Sequence, residues 1–205
     1  MPATESALIV ISAASGAGKS SLARALVENT DRVVLSVSHT TRTIGDNEVD
    51  GREYHFVTEQ EFRRMIEAGE FLEYAQVYDN YYGTARQTVM RELESGKNVV
   101  LEIDWQGARQ VEARFANIIK VFVLPPSIEV LRQRLIGRGR DSDNTIERRL
   151  TAAMDDMQHC VDYDYLVVND DFDLALSEIR NVLPGGSGVI RPVPESLKEK
   201  FSIPA

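Results

Sequence analysis

Cysteine occurs once in 205 residues, and no continuous apolar stretch approaches the roughly twenty residues that a membrane-spanning helix needs. Cys160 alone excludes an internal disulfide. With His159 beside it there are still too few ligands for a zinc site, so it reads as a packed or half-buried thiol. Positive charge is also short: 23 Lys and Arg against 32 Asp and Glu leave a net charge of −9, with a sequence pI near 4.9. That balance argues against nucleic acid as a partner, because polyanions are held mainly by clustered cations that release counterions. The opening Met1-Pro2-Ala3-Thr4-Glu5 has neither the positive charge nor the apolar core of a signal peptide. The expected location is therefore the cytoplasm, with no membrane attachment. No internal repeat is visible. What remains is ordinary globular usage, 43% apolar and 27% charged, in a length that suits one domain.

One stretch is chemically specific. Ala13-Ala14-Ser15-Gly16-Ala17-Gly18-Lys19-Ser20 follows the apolar run Leu8 to Ile11, which reads as a buried strand, and precedes a helical pattern from Ser21 to Glu28. Glycines at 16 and 18 let successive N–H groups turn inward around a phosphate chain. Lys19 can reach the β and γ oxygens, and the Ser20 hydroxyl suits Mg²⁺. The first position, usually glycine in such loops, is Ala13, still a small residue. A grip of this kind implies a bound nucleoside triphosphate and leaves its use open.

Apolar runs at Leu8 to Ile11, Val33 to Val37, Val99 to Ile103, Ile118 to Leu124 and Tyr165 to Val168 alternate with stretches of helical spacing. Strands apolar on both faces, alternating with helices, predict a three-layer α/β core with a mainly parallel sheet. Thr58-Glu59-Gln60-Glu61 is a capping box that opens a helix to about Ala68, Gly69 and Gly96 close two helices, and Pro125-Pro126-Ser127 ends a strand and caps the next helix. Residues 38 to 84 carry polar and aromatic alternation instead, which predicts a small inserted lobe. Residues 137–144, charged and glycine-hinged, suit a mobile flap. The end of the chain, rich in Gly and Pro, reads as a loose tail with at most one further turn of helix.

Three classes of phosphate-gripping protein compete. A GTPase needs a base-reading Asn-Lys-x-Asp, which is missing, although Asp104-Trp105-Gln106-Gly107 matches the looser Asp-x-x-Gly. A motor or transport ATPase is usually larger. A small kinase needs a second pocket for its acceptor, and the inserted lobe supplies a candidate. A cluster of cations for small anions is also present at Arg132, Arg134, Arg138, Arg140, Arg148 and Arg149.

Five segments in order, Ser36-Val37-Ser38-His39-Thr40-Thr41-Arg42, Asn80-Tyr81-Tyr82-Gly83-Thr84, Glu102-Ile103-Asp104-Trp105-Gln106-Gly107, Gly137-Arg138-Gly139 and Val168-Asn169-Asp170-Asp171, make the chain resemble guanylate kinases over residues 7 to 183. The resemblance implies a P-loop NTPase core at about 7–37, 85–134 and 150–183, a GMP-binding lobe at about 38–84, a lid at about 135–149 and a tail at 184–205. It implies transfer of a phosphoryl group from ATP to GMP with Mg²⁺, in the supply of GTP and dGTP, with dGMP as a candidate second acceptor.

By the same resemblance Ser38, Arg42, Tyr54 and Tyr82 grip the GMP phosphate. Glu73 reads the guanine N1 and N2 donors, with Asp104 near N2 and Thr84 donating to O6. Adenine would set an acceptor against Glu73 and leave its charge unpaired, at a cost of about 1–3 kcal/mol. On the ATP side stand Ala13, Ala14, Ser15, Gly16, Ala17, Gly18, Lys19, Ser20 and Ser21, with Asn169 near the adenine. Lys19, Arg134, Arg138 and Arg149 are the catalytic cations. Ser20, and Glu102 directly or through water, belong to the metal. Glu102 and Asp104, two apart on a predicted strand, are expected to point to one face at its C-terminal end.

Two departures stand out. Guanylate kinases commonly have Asp where this chain has Glu102. They usually also continue Arg-x-Pro-Arg after the position of Arg42, giving a second arginine to the GMP phosphate, whereas here the run is Arg42-Thr43-Ile44-Gly45. Either Arg52 is expected to take over part of that role or GMP is expected to bind more weakly. Two other readings stay open: the same fold with a different phosphorylated acceptor, favoured by Gly45, and a scaffold module, opposed by the complete phosphate grip.

Overall fold

The structure is a computed structural model that describes residues 6–137 and 143–201. Along the chain lie β1 (Leu8–Ala13), α1 (Lys19–Glu28), β2 (Val33–Leu35), β3 (His39–Thr40), β4 (His55–Phe56), α2 (Glu59–Glu67), β5 (Phe71–Val77), β6 (Asn80–Ala85), α3 (Arg86–Glu94), β7 (Asn98–Glu102), α4 (Trp105–Glu112), β8 (Ile118–Leu124), α5 (Ile128–Gly137), α6 (Asp143–Gln158), a 3-10 turn (His159–Asp162), β9 (Tyr165–Val168), α7 (Phe172–Asn181) and α8 (Glu195–Lys200).

Strands β2, β7, β1, β8 and β9 form one parallel sheet in that order. Alternation along β1 explains why both faces are apolar: Ile9 and Ile11 pack with Leu22, Leu26 and Ile179, whereas Leu8 and Val10 pack with Val89, Leu101 and Val111. In β8 the residues Phe122 and Leu124 meet Leu131 of α5 and Leu150 of α6. Helices therefore cover both faces, which is the expected three-layer α/β class. Cys160 is fully buried, and burial pushes its thiol up to about 11, so it is a packed, unreactive group.

Local punctuation follows chemistry. The Thr58 hydroxyl accepts the Glu61 N–H at 3.2 Å to open α2, and Ser127 accepts the Val130 N–H at 3.2 Å to open α5. Helix α1 begins at Lys19, two residues earlier than the sequence pattern suggests, because the Gly18 carbonyl already accepts the Leu22 N–H at 3.1 Å. Residues 39–85 carry a second sheet, ordered β4-β3-β6-β5 and mixed in direction. Phe62 and Met65 of α2 pack on Phe71 beneath it.

The tail is a correction. Leu197 and Phe201, four apart on one helix face, are buried among Leu131 and Leu135, and Arg191 is ion-paired to Glu178 at 2.7 Å. Gly and Pro around them hid this short apolar pair in the sequence. Arg138, predicted to close over ATP, lies outside the described residues with the rest of 138–142; α5 and α6 end and begin on either side.

Candidate active site

The turn between β1 and α1 sits at the C-terminal edge of the parallel sheet, where open α/β sheets bind ligands. Gly18 has a φ of 101°, and a Cβ there would collide with the Asn169 amide, so only glycine meets both conditions. That amide, 4% exposed, donates to the Ala17 carbonyl at 2.7 Å. Arg134 donates to the carbonyls of Ala17 at 3.2 Å and Asn169 at 2.9 Å. Asn169 and Arg134, expected against ATP, both also hold the loop through the Ala17 carbonyl. Lys19 donates to the Ile103 carbonyl at 3.1 Å, and the Ser20 hydroxyl donates to the Glu102 carboxylate. Ala17, within the loop, is buried, and Ser21 is exposed on α1.

Across the cleft the key carboxylate is placed by a β-bulge. β5 pairs with β6 as Phe71 opposite Ala85 and Glu73 opposite Thr84, so one extra residue, Leu72, breaks the alternation. Phe71 then faces Phe62, Leu72 enters the main core, and Glu73 turns with Ala75 and Val77 toward the cleft. Glu73 is 3% exposed. Burial pushes its carboxyl up from the ordinary 4.5 to about 7, aided by the nearby Asp104 charge and opposed by hydrogen bonds from Thr84 and by Lys19. Thr84 is fully buried, its hydroxyl 3.3 Å from that of Ser38. It therefore reaches the cleft through Glu73 and Ser38. Gly107 backs the carboxylate: a Cβ there would strike Glu73 Oε2.

Asp104 departs from expectation. β7 ends at Glu102, and Asp104 is the N-cap of α4, accepting the Gly107 N–H at 2.9 Å and the Gln106 amide at 3.0 Å. It lines the cleft as a helix cap, not as a strand partner of Glu102. Capping won because the chain turns directly from strand into helix after Ile103.

The remaining acceptor-side residues are brought together. The Arg42 guanidinium forks onto Glu48 at 2.8 and 2.9 Å and lies 5.4 Å from the Tyr54 ring centroid. Glu48 also accepts the Gly45 N–H at 2.7 Å. Tyr54 meets Tyr82 edge to face at 5.8 Å, and burial raises the Tyr54 phenol far above its ordinary 10. Arg52 borders the cleft but is ion-paired to Glu53 at 2.8 Å.

Between these two sides lies one cleft of ≈ 760 Å³, lined on one side by Ser15, Lys19 and Ser20 and on the other by Ser38, Glu73 and Tyr82. Arg149 of α6 also borders it, as does Asp156, a residue that the sequence reading missed. Burial pushes the Asp156 carboxyl up to about 6, with the Asp104 charge adding to the shift while Lys19 and a hydrogen bond from Trp105 oppose it. Its signal was available: Arg149 and Asp156 are seven apart, on one face of one helix.

Comparison with known proteins supports a single assignment. The family model for guanylate kinase matches residues 5–185. A guanylate kinase of Thiobacillus denitrificans is 51% identical over 178 residues, covering 87% of this chain and 85% of the relative. One of Methylococcus capsulatus is 52% identical over 180 residues, covering 88% of each. The crystal structure of guanylate kinase from Anaplasma phagocytophilum matches with a TM-score of 0.75 at 31% identity, covering 98% of both chains. A glycine-rich loop and a buried carboxylate facing each other across one cleft, carried by a sequence with these relatives, make the chain a member of the guanylate kinase family.

Proposed function

We propose that the protein catalyses ATP + GMP → ADP + GDP in this cleft. The observation that carries the reading is Glu73: a buried carboxylate, hydrogen-bonded by Thr84, that shares the cleft with Lys19 of the phosphate grip. A carboxylate in that setting answers the N1–H and N2–H donors of guanine, and those donors in turn favour its charged form. Adenine presents an acceptor at N1 and leaves the charge uncompensated. Base-edge reading of this kind is blind to the ribose 2′ position, so dGMP belongs to the same acceptor class.

Phosphoryl transfer asks the protein chiefly for positioning and charge neutralisation. Lys19 supplies a cation at the donor phosphates, and Arg149 is on the cleft wall to meet the moving group. Arg134 holds the loop that orients the donor, and Arg138 is proposed to complete the cationic surround from the flap. Ser38, Arg42, Tyr54 and Tyr82 are the proposed phosphate grip for GMP, in which phosphate oxygens replace Glu48 on the Arg42 fork. Asp104, capping α4 beside Glu73, keeps one oxygen lone pair for the guanine N2 side.

Among the described residues no set of three His, Cys, Asp or Glu side chains forms a metal cage. Ser20 and Glu102 offer hard oxygens from one side only, which fits Mg²⁺ whose other ligands are phosphate oxygens and water. These two residues would hold it, and it would neutralise charge on the donor phosphates. The reading sets the protein among the nucleotide pools of the cytoplasm.

The test is a coupled assay with ATP and GMP, AMP, CMP and UMP in parallel. GMP is expected to be strongly preferred, and Glu73→Gln to lower kcat/KM for GMP by roughly ten- to a hundredfold. Equal turnover of AMP, or full activity in Glu73→Gln, would overturn the reading.

A further inference from the structure

The matched family region ends at residue 185, yet the chain beyond it is fastened to the donor side of the cleft. Glu178 of α7 is buried, 4% exposed, and its carboxylate accepts from the Arg191 backbone N–H at 2.8 Å, from Nε at 2.7 Å and from the terminal guanidinium nitrogen at 3.3 Å. Among the described residues, all the hydrogen-bond partners of that carboxylate are on Arg191. The same guanidinium donates to the Val168 carbonyl at 3.1 Å and to both oxygens of Asp170 at 3.1 and 3.3 Å. Between Val168 and Asp170 stands Asn169, whose amide holds the Ala17 carbonyl and sits where only a glycine at 18 leaves room.

We propose that Arg191 is a positioning residue for the ATP grip, acting through the turn between β9 and α7. The inference rests on the reading that this grip binds ATP. Arg191 pins that turn on both sides of Asn169, and Asn169 sets the height of the loop at Ala17 and Gly18. The Asp171 carboxylate, capping α7 by accepting the Leu174 N–H at 2.9 Å, closes the turn on its far side. A residue outside the family match thus fixes a loop at the centre of the site. The acceptor wall carries none of these contacts, so the effect should be confined to the donor.

Removing Arg191 alone would leave the buried Glu178 charge without a partner, so the decisive protein is the full chain carrying Arg191→Ala together with Glu178→Gln. Steady-state kinetics are expected to show KM for ATP raised about two- to thirtyfold, with KM for GMP changed less than twofold. The upward shift in Tm that ATP alone produces should shrink accordingly. Asp170→Asn, a change at a half-exposed side chain, should move KM for ATP in the same direction by a smaller factor, and Arg191→Lys should recover part of the loss. Unchanged KM for ATP in Asp170→Asn and in the folded double variant overturns the proposal. So does an equal rise in both KM values, which would mark a merely structural role. If ATP alone gives no Tm shift in the unmodified protein, the functional reading itself has failed.

Discussion

On the donor side of the cleft, Lys19 on the wall and Arg134 and Asn169 behind it all end on backbone carbonyls, those of Ile103, Ala17 and Asn169. On the acceptor wall, Ser38 and Thr84 bring their hydroxyls together, Thr84 bonds Glu73 through side chain and backbone, and Arg42 forks onto Glu48 with one further bond to the Thr43 carbonyl. A backbone acceptor is present whatever residue occupies the position, so these three contacts depend on where the sheet ends and the loop runs, while Gly18 and the Ser20–Glu102 pair are the donor side's particular residues. The acceptor wall depends on particular side chains meeting across strands, which makes it the place where selectivity is set and where it is easily lost.

The strongest test of the contrast is Lys19→Ala. It should lower kcat by about 10²–10³-fold, the scale for removing one preorganised charge-stabilising group, with KM for GMP nearly unchanged in initial-rate measurements. A comparable rise in KM for GMP would mean that the two walls are not independent. Next in size, Gly107→Ala drives a Cβ into Glu73 Oε2. It should raise KM for GMP by about tenfold or more, since a displaced buried carboxylate loses its hydrogen bonds, and leave KM for ATP alone. A Gly107→Ala enzyme with ordinary GMP kinetics would sink the account of how Glu73 is held.

pH sharpens the same difference. In the proposed reading Glu73 must be ionised to accept from guanine, and its carboxyl is raised to about 7. KM for GMP should therefore climb about five- to tenfold between pH 8 and pH 6, while Glu73→Gln shows a flat profile. A protonated Glu73 can donate to adenine N1, so discrimination against AMP should also weaken on the acid side. The sign for folding is opposite: with the folded value above the ordinary 4.5, the contribution of Glu73 to stability is fully present below 4.5 and is lost as pH rises from there to about 7. Thermal melts of wild type and Glu73→Gln without GMP should diverge in that window.

The smallest expected effect concerns the missing second arginine. Gly45 donates its N–H to the carboxylate that holds Arg42, so Gly45→Arg would set a second cation beside the proposed GMP phosphate grip. It should lower KM for GMP by about threefold, on the scale of a partly exposed ion pair. Arg52→Ala should raise it less, because Arg52 is already paired with Glu53. No change in either would remove this cation from the description of the GMP phosphate grip.

Legibility divides along the same line. Strands β8 and β9 coincide with their apolar runs, Ile118 to Leu124 and Tyr165 to Val168, because both faces are packed and polar residues or proline flank each run, Lys120 being the one charged residue inside. The phosphate loop was readable for a similar reason: its chemistry is local, with strand, turn and helix supplied by consecutive residues. Asp104 was misplaced because a carboxylate two residues past a strand partner can equally cap the next helix. The roles of Arg134 and Asn169 were out of view, since each depends on contact with residues distant in the chain, whereas Asp156 was legible from its place seven residues after Arg149 on one helix. The docking of Leu197 and Phe201 was masked by the glycines and prolines that precede them.

By itself the sequence determined the parallel, helix-covered sheet and the glycine-lined turn at its edge, because apolar periodicity and backbone freedom act between near neighbours. Only the tertiary structure decided that Leu72 bulges so that Glu73 faces inward, that Gly107 and Thr84 hold it there, and that Arg191 reaches back to the turn bearing Asn169. Those outcomes rest on strand register and close approach between segments far apart in the chain, which no local pattern encodes.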